Sequence, residues 1–409
     1  MEKKHKPSVD ESIVTKASMY PQEAPAKIKS SKQSLVIGVP KEVALQEKRV
    51  CLTPDSVGVL VANGHEIIIE SNAGEGANFP DHLYSDKGAQ IVYAAKEALE
   101  ANIVLKVEPP TLEEIGYMKP NSTLISAIQY SQLKPDYLKR LCSKRITAAG
   151  FELIEDKGGL KPIVRSMSEI ASSCVISIAG ELLSNQSDGM GVIFGGVTGV
   201  PPLKVVIIGA GTMGENVARS ARGLGAEVRI FDNHHYKLRR LKKDLGDQYY
   251  TSIIDTSTLS KELEDADVVV GALRAEDGVS QCVVSEEMVS NMKRGAVIID
   301  ASISEGGCFE TSQVTTHDHP SFVKHGVIHY CVPNITARVS RTATRALSYI
   351  FTPILNQISR YGGVQEMIWE KEWFMKGIYT FNGCVTNESM AIKHGFNYRD
   401  LSLIMALGC

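Results

Sequence analysis

Short apolar stretches alternate with helical stretches along most of the chain from Leu35 onward. The first series of apolar stretches reads LVIGV, EIIIE, IVLKV and TLISAI, with a helix predicted at 55–63. A second series follows beyond position 200 and reads VVIIG, EVRIF, DVVVGA, AVIID and VIHYC. Strand-sized apolar runs that alternate with helices indicate an α/β fold built on parallel sheets.

The first strand of the second series leads directly into a glycine motif. In VVIIGAGTMGENVARSARGLGAEVRIFD, Gly209, Gly211 and Gly214 form GxGxxG between a strand and a helix. Glycines at this spacing permit a tight turn, a close approach of the backbone to a pyrophosphate, and close packing of the helix on the strand. The alternative is a glycine turn without a ligand, but the strand and helix on either side favour dinucleotide binding.

Asp232 ends the strand that follows the glycine motif. A carboxylate at this position accepts a hydrogen bond from the adenosine ribose 2′-OH and repels a 2′-phosphate, so the sequence predicts NAD rather than NADP as cofactor. Arg239 and Arg240 follow closely and could meet a 2′-phosphate, but the favoured interpretation is a solvated helix face.

The two series of strands predict two domains, which suits a chain of 409 residues. A long helix, predicted at 168–185 with Ser168 as its N-cap, connects them. The predicted class is α/β, with a Rossmann NAD-binding domain inserted in a discontinuous Rossmann-like catalytic domain. We expect a flexible extension at 1–33, a catalytic domain at 34–166 plus 339–409, and the NAD-binding domain at 167–338.

Composition narrows the choice of partner. With 44 Lys and Arg against 47 Asp and Glu, the net charge of −3 offers no basic field for nucleic acid or an anionic membrane, so we expect a small-molecule substrate. Eight cysteines without a CxxC pair indicate reduced thiols in a cytoplasmic protein. The apolar runs are too short to predict a transmembrane segment, and the paired histidines lack further ligands for a metal site.

Three further segments carry a resemblance to a known family. They read GVPKEVALQEKRVCLTPDSVGVLVANGHEIIIESNAGEGANF, MSEIASSCVISIAGELL and GAVIIDASISEGGCFETSQVTTHDHPSFVKHGVIHYCVPNI. Together with the glycine motif, they resemble the alanine dehydrogenase and nicotinamide nucleotide transhydrogenase family from Leu35 to about Leu355. The third segment is closer to alanine dehydrogenases, through GGCFE and TTHDHP.

The resemblance implies roles for three residues. Arg49, in EKRVCLTP, matches the guanidinium that holds a substrate carboxylate, a task that its fork of donors suits. Ser168 matches a serine that meets the cofactor phosphate, and Asn334 an asparagine near the nicotinamide. The alternatives are a surface arginine, a simple N-cap and a turn residue. The resemblance also implies a homo-oligomer.

The chain departs from the family at three catalytic positions. In the family's KVKEP segment the second lysine is catalytic, whereas the ungapped alignment on this chain's KVEPP places Glu108 there. The family's histidine falls on Gln129, and its aspartate falls on Ser304.

Neighbouring residues suggest how activity could persist. Lys106 lies two positions before Glu108, and a strand would put both on one face, roughly 6.6 Å apart. Gln129 can form hydrogen bonds but cannot titrate, and Glu305 could replace the missing aspartate. Lys106 and Gln129 therefore join Arg49 as catalytic candidates, with a structural role as the alternative for Lys106.

Three functions remain open from the sequence. The first is an alanine dehydrogenase-type enzyme, which the overall resemblance favours. The second is a transhydrogenase-like NAD(H)-binding subunit, for which no amino-acid acid–base set is needed. The third is an NAD-binding protein without catalytic activity.

Overall fold

The computed structural model describes residues 32–128, 134–156, 158–274 and 281–406. Its strands are β1 Val36–Val39, β2 Glu66–Glu70, β3 Gln90–Val92, β4 Ile103–Leu105, β5 Thr123–Ser126, β6 Thr147–Gly150, β7 Lys204–Ile208, β8 Glu227–Phe231, β9 Tyr250–Ser252, β10 Val268–Gly271, β11 Val297–Asp300, β12 Ser321–Lys324, β13 Val327–Tyr330, β14 Ile378–Phe381 and β15 Cys384–Val385. Its α-helices are α1 Pro54–Ala62, α2 Asp81–Ser85, α3 Ala95–Leu99, α4 Leu112–Tyr117, α5 Pro135–Ser143, α6 Pro162–Leu182, α7 Thr212–Gly223, α8 His235–Leu245, α9 Thr256–Glu264, α10 Glu286–Ser290, α11 Ser340–Tyr361, α12 Val364–Glu370, α13 Glu372–Met375, α14 Glu388–His394 and α15 Leu401–Ala406.

The first sheet has the strand order β15-β14-β6-β5-β4-β1-β2-β3. Strands β1 to β6 run parallel, whereas β14 pairs antiparallel with β6 and β15 with β14. Counted along the chain, the parallel strands follow the doubly wound order 3-2-1-4-5-6. The order reverses between β1 and β4, so the loops after these two strands flank a crevice at the carboxyl edge of the sheet.

The second sheet has the order β12-β13-β11-β10-β7-β8-β9. All its neighbouring strands are parallel except β12, which pairs antiparallel with β13. Its central strands are fully buried runs of valine and isoleucine, as strands covered by helices on both faces require. The switch point lies between β7 and β10. The predicted α/β class, with a Rossmann domain inserted in a Rossmann-like domain, is confirmed.

The chain returns to the first sheet after the second is complete. Buried Leu347, Phe351 and Leu355 of α11 join the core of the first sheet. The backbone N–H of Val50 also donates to Thr344 Oγ1 at 3.1 Å. The β14–β15 hairpin was not predicted from the sequence. The exact boundaries 34–166, 167–338 and 339–409 stay predictions.

Helix α6 begins at Pro162, with Lys161 at the N-cap position. Proline suits the first turn because its φ is already helical and its missing N–H has no intrahelical partner there. The prediction of Ser168 as N-cap is therefore wrong, because Ser168 lies in the second turn.

Helix α6 is also the one helix, among the residues that the structure describes, with the length and composition to cross a membrane. No such segment was expected from the sequence. A helix in the core of a globular protein can have the same length and composition, and α6 has a buried face that includes Val175, Ile178 and Leu182. The expected extension at 1–33 lies outside the described residues except for its last two. Of these, Gln33 donates from its backbone to Ser359 O at 3.0 Å.

Candidate active site and dinucleotide site

The three motif glycines lie between β7 and α7, at the switch point of the second sheet. Gly209 has a φ of +118°, and a Cβ there would lie 2.4 Å from Ala272 O, in the loop after β10. A Cβ on Gly214 would lie 1.8 Å from Gly209 O. Gly211, the N-cap of α7, has nothing within 4 Å of an added Cβ. Two glycines thus allow the loop to pack, and the third leaves open the surface that a pyrophosphate would occupy.

Asp232 directly follows β8 and is buried against the glycine loop. Its Oδ2 accepts from the Ala210 N–H at 2.7 Å, and its Oδ1 accepts from the His234 N–H at 2.8 Å. Arg240 donates to Ala210 O at 3.1 Å, so it holds the loop as well as lying on the helix surface. The carboxylate therefore orders the loop in addition to the ribose contact expected from the sequence, which stays a prediction.

Arg49 lies in the loop between β1 and α1, at the switch point of the first sheet, and is buried. Glu47 accepts two hydrogen bonds from its guanidinium, from Nε at 2.7 Å and from NH2 at 2.6 Å. NH1 donates to Thr336 Oγ1 at 3.0 Å, and NH2 lies 3.2 Å from Glu108 Oε1. Burial favours a lower pKa for Arg49, but the hydrogen bonds and charge of Glu47, with Glu108, raise it. The surface-arginine alternative is therefore excluded by its burial.

Lys106 directly follows β4 and is enclosed by carboxylates. Its Nζ donates to Glu114 Oε1 at 2.7 Å and lies 3.5 Å from Glu42 Oε2, with 1% of the side chain exposed. Burial lowers the pKa of Lys106, but the two glutamates outweigh it and raise the pKa. Glu42 also accepts from the Val107 N–H at 2.6 Å. These contacts fit the structural alternative for Lys106, and its catalytic role stays a prediction.

Glu108 and Lys106 take different directions. The strand β4 ends at Leu105, and Glu108 lies in a bend. The expectation that one strand face would carry both side chains is therefore wrong. The lysine contacts Glu42 and Glu114, whereas the Glu108 carboxylate contacts Arg49.

The third changed position lies in the loop after β11. Ser304 and Glu305 belong to a 3-10 helix, Ile303–Glu305, and Glu305 Oε1 lies 3.8 Å from Arg274 Nε. Asp300, which sequence reasoning missed, is fully buried, and burial raises its pKa. It accepts from the Cys308 N–H at 3.1 Å and from Ser312 Oγ at 2.7 Å. Asp300 therefore orders the GGCFE loop.

Helix α6 places Ser168 one turn before Ser172. The Ser172 hydroxyl donates to Ser168 O at 2.6 Å and lies 3.2 Å from Met213 O, in the first turn of α7. Ser168 thus lies close to the end of α7 where the glycine motif predicts a phosphate. This position fits the contact that the resemblance implies, which stays a prediction.

Asn334 directly precedes the 3-10 helix Ile335–Val339. This helix carries Thr336, which accepts a hydrogen bond from Arg49. Its carbonyl lies 3.2 Å from His317 Nε2, and the backbone N–H of His317 donates to Gln46 Oε1 at 2.6 Å. Residues of the second sheet's loops therefore contact the loop that carries Arg49. Arg49 and Asn334, which are predicted to contact the substrate carboxylate and the nicotinamide, therefore lie at one boundary between the two sheets.

Gln129 lies outside the described residues, so its candidate role cannot be placed. Within the described ranges, no group of three or more histidine, cysteine or acidic side chains is arranged to hold a metal ion. The sequence reasoning also missed Glu42, Glu47 and Glu114. A signal for such residues was available, since a buried arginine or lysine requires acidic partners.

The two doubly wound sheets and the glycine loop define a two-domain α/β protein of the dinucleotide-binding class. Models of the alanine dehydrogenase/PNT N-terminal and C-terminal domains match residues 38–171 and 175–388. The chain belongs to the alanine dehydrogenase/PNT family, which confirms the resemblance seen in the sequence.

Curated relatives and solved structures agree with this assignment. The alanine dehydrogenase of Bacillus subtilis (strain 168) is 36% identical over 89% of this chain and 96% of its own length. That of Methanococcus maripaludis is 38% identical over 89% and 98%. A solved L-alanine dehydrogenase matches with a TM-score of 0.81 at 33% identity, over 88% and 98%. A transhydrogenase from Sinorhizobium meliloti matches with a TM-score of 0.72 at 20% identity, over 87% and 99%, and shares the fold.

Proposed function

We propose that this chain is an NAD-dependent amino-acid dehydrogenase that converts L-alanine, or a related small amino acid, and water to the 2-oxo acid and ammonium. The observation that carries the proposal is the position of Arg49. Its guanidinium lies at the switch point of the first sheet and bonds to Thr336, beside the loops of the second sheet. A carboxylate bound there would lie close to Asn334 and to the dinucleotide site.

The residues around the glycine loop fit NAD. Gly211 leaves the N-terminus of α7 open to a pyrophosphate, and Asp232 brings a negative charge to the end of β8. When bound, NAD supplies the acceptor for the hydride from C2 of the substrate.

The chain's own residues bind and orient the substrate. Glu47 holds one edge of the Arg49 guanidinium by two hydrogen bonds, which fixes the direction of the other edge. That second edge, formed by NH1 and NH2, is where the substrate carboxylate would bind in a bidentate fashion. The Lys106, Glu42 and Glu114 cluster holds the loop after β4 through two ion pairs and the hydrogen bond from the Val107 N–H to Glu42.

The test is NADH formation, followed by ultraviolet absorbance, with purified protein, NAD and L-alanine beside a panel of other amino acids. We expect turnover with a small amino acid. Arg49→Lys keeps the charge but loses the fork, so we expect kcat/KM to fall about 100-fold or more. Arg165→Lys, on the exposed side of α6, is the matched control and should leave turnover unchanged. Absence of turnover with every amino acid would contradict the proposal.

A second candidate is a transhydrogenase-like NAD(H)-binding subunit. It is favoured by the replacement of three family catalytic residues with Glu108, Gln129 and Ser304. Hydride transfer from NADH to an NAD analogue, with no activity on amino acids, would support it over the dehydrogenase.

Cytoplasmic location, a small-molecule substrate and homo-oligomerisation complete the proposal. The seven described cysteines are unpaired, in keeping with a reducing compartment. Light scattering coupled to size exclusion would test the oligomer, and a monomer at micromolar concentration would contradict it.

A further inference from the structure

The five N–H donors of Arg49 divide between two edges of its guanidinium. The inner edge, Nε and NH2, is taken by Glu47. The outer edge contacts Thr336 Oγ1 at 3.0 Å, Met167 Sδ at 3.8 Å and Glu108 Oε1 at 3.2 Å. A substrate carboxylate can reach only this outer edge. It therefore meets the Glu108 carboxylate at NH2.

The charges around this edge favour a zwitterion over an anion. Arg49 and Lys106 are faced by four carboxyl groups, those of Glu42, Glu47, Glu108 and Glu114. Glu47 is occupied by Arg49, and Glu42 and Glu114 by Lys106. Of the four, Glu108 lies on the outer edge of Arg49 and is partly exposed, with 19% of its side chain accessible.

An amino acid presents groups that complement this pair. Its α-carboxylate and α-ammonium are attached to one carbon, as Arg49 and Glu108 are adjacent here. A substrate carboxylate on the outer edge would replace Glu108 Oε1 at NH2, and the ammonium group on the same carbon would then lie beside the Glu108 carboxylate. The lysine of the family motif has the opposite charge at this position, and Lys106 is held by Glu42 and Glu114.

We propose that Glu108 binds the α-ammonium of the amino-acid substrate and accepts one proton from its nitrogen. This inference rests on the proposed function. In the step, an N–H bond of the ammonium breaks and an O–H bond forms on the Glu108 carboxyl. The substrate becomes a neutral amine, whose nitrogen lone pair can form the C=N bond when the hydride leaves C2. The proton later passes from Glu108 to solvent. In the reverse direction, Glu108 returns this proton to the amine product.

Calorimetric titration distinguishes recognition of the substrate's ammonium group from recognition of its carboxylate, because pyruvate has only the carboxylate. L-Alanine is titrated into protein saturated with NADH, and pyruvate into protein saturated with NAD, so that neither complex turns over. Glu108→Gln removes the charge and should weaken L-alanine binding about tenfold or more, while pyruvate binding is unchanged or tighter. Glu108→Lys should reverse the preference, and Glu108→Asp should retain it. Glu113→Gln, an exposed neighbour, is the matched control.

The kinetic arm tests the proton. Glu108→Gln can form hydrogen bonds but cannot accept a proton, so we expect kcat to fall about 100-fold or more, beyond the effect on KM. Equal weakening of L-alanine and pyruvate binding, or an unchanged kcat, would overturn the role of Glu108. Wild-type protein that turns over no amino acid would instead contradict the proposed function, and the calorimetric ratio would still decide whether Glu108 binds an ammonium group.

Discussion

Glu42 offers a direct test of the buried charge cluster beside Arg49. Burial raises the pKa of its carboxyl from 4.5 to about 7, although Lys106 and the Val107 N–H oppose the rise. At 1.36 kcal/mol for each tenfold change in proton affinity, ionised Glu42 costs the folded state about 3 kcal/mol. Between pH 4.5 and 7 the unfolded chain has released this proton and the folded chain still holds it. The free energy of unfolding therefore falls as the pH rises through this range.

The perturbation is Glu42→Gln, which keeps an acceptor for the Val107 N–H and removes the titration. Urea unfolding of both proteins is measured at several pH values from 4.5 to 8. Groups remote from Glu42 titrate equally in the two proteins, so their contributions cancel in the difference. We expect the stability difference to shift by about 3 kcal/mol in favour of the variant as the pH rises. Glu113→Gln should show no such shift, and parallel curves for wild type and Glu42→Gln would refute the reasoning.

Three further predictions follow from the same contacts. Lys106→Met leaves Glu42 and Glu114 without their cation, so the free energy of unfolding should fall by about 3–5 kcal/mol. Adding Glu114→Gln should restore part of this loss. An unchanged urea midpoint for Lys106→Met would contradict the structural role of the lysine. Gly211→Ala should keep the thermal midpoint of unfolding but weaken NADH binding, measured by fluorescence titration, at least tenfold. Gly214→Ala should lower the thermal midpoint as well, because its Cβ would lie 1.8 Å from a carbonyl oxygen. Asp232→Asn loses the charge that repels a 2′-phosphate, so the ratio of NADPH to NADH affinity should rise about tenfold, and an unchanged ratio would count against its role in cofactor choice.

Much of the fold follows from local patterns. The runs of valine and isoleucine and the GxGxxG motif are signals contained within a few residues, and they predicted strands, helices and the inserted domain. The β14–β15 hairpin carries no such signal, because these two short strands depend on pairing with β6, far away in the sequence. The start of α6 was misplaced because Ser168 is an acceptable N-cap residue, although Pro162 determines the actual first turn.

Individual residues of the candidate site could be predicted from the sequence, but their contacts with one another could not. Arg49 and the glycines stand in motifs, so a resemblance could assign them. The partners of Arg49 and Lys106 come from separate loops that the switch point brings together, and spacing along the chain does not contain this information. The different partners of Lys106 and Glu108 depend on where β4 ends, a boundary that sequence patterns place only within a few residues.

The chain crosses between the two sheets twice, outward through α6 and back through the 3-10 helix that leads into α11. Two covalent connections restrict the relative motion of the two sheets mainly to a rotation about the line that joins the two crossings. Met167 and Thr336, which contact Arg49, each lie on one of these crossings. Points close to a rotation axis move least, so opening of the cleft would widen the entrance for a nucleotide while the grip of Arg49 on a small carboxylate hardly changes.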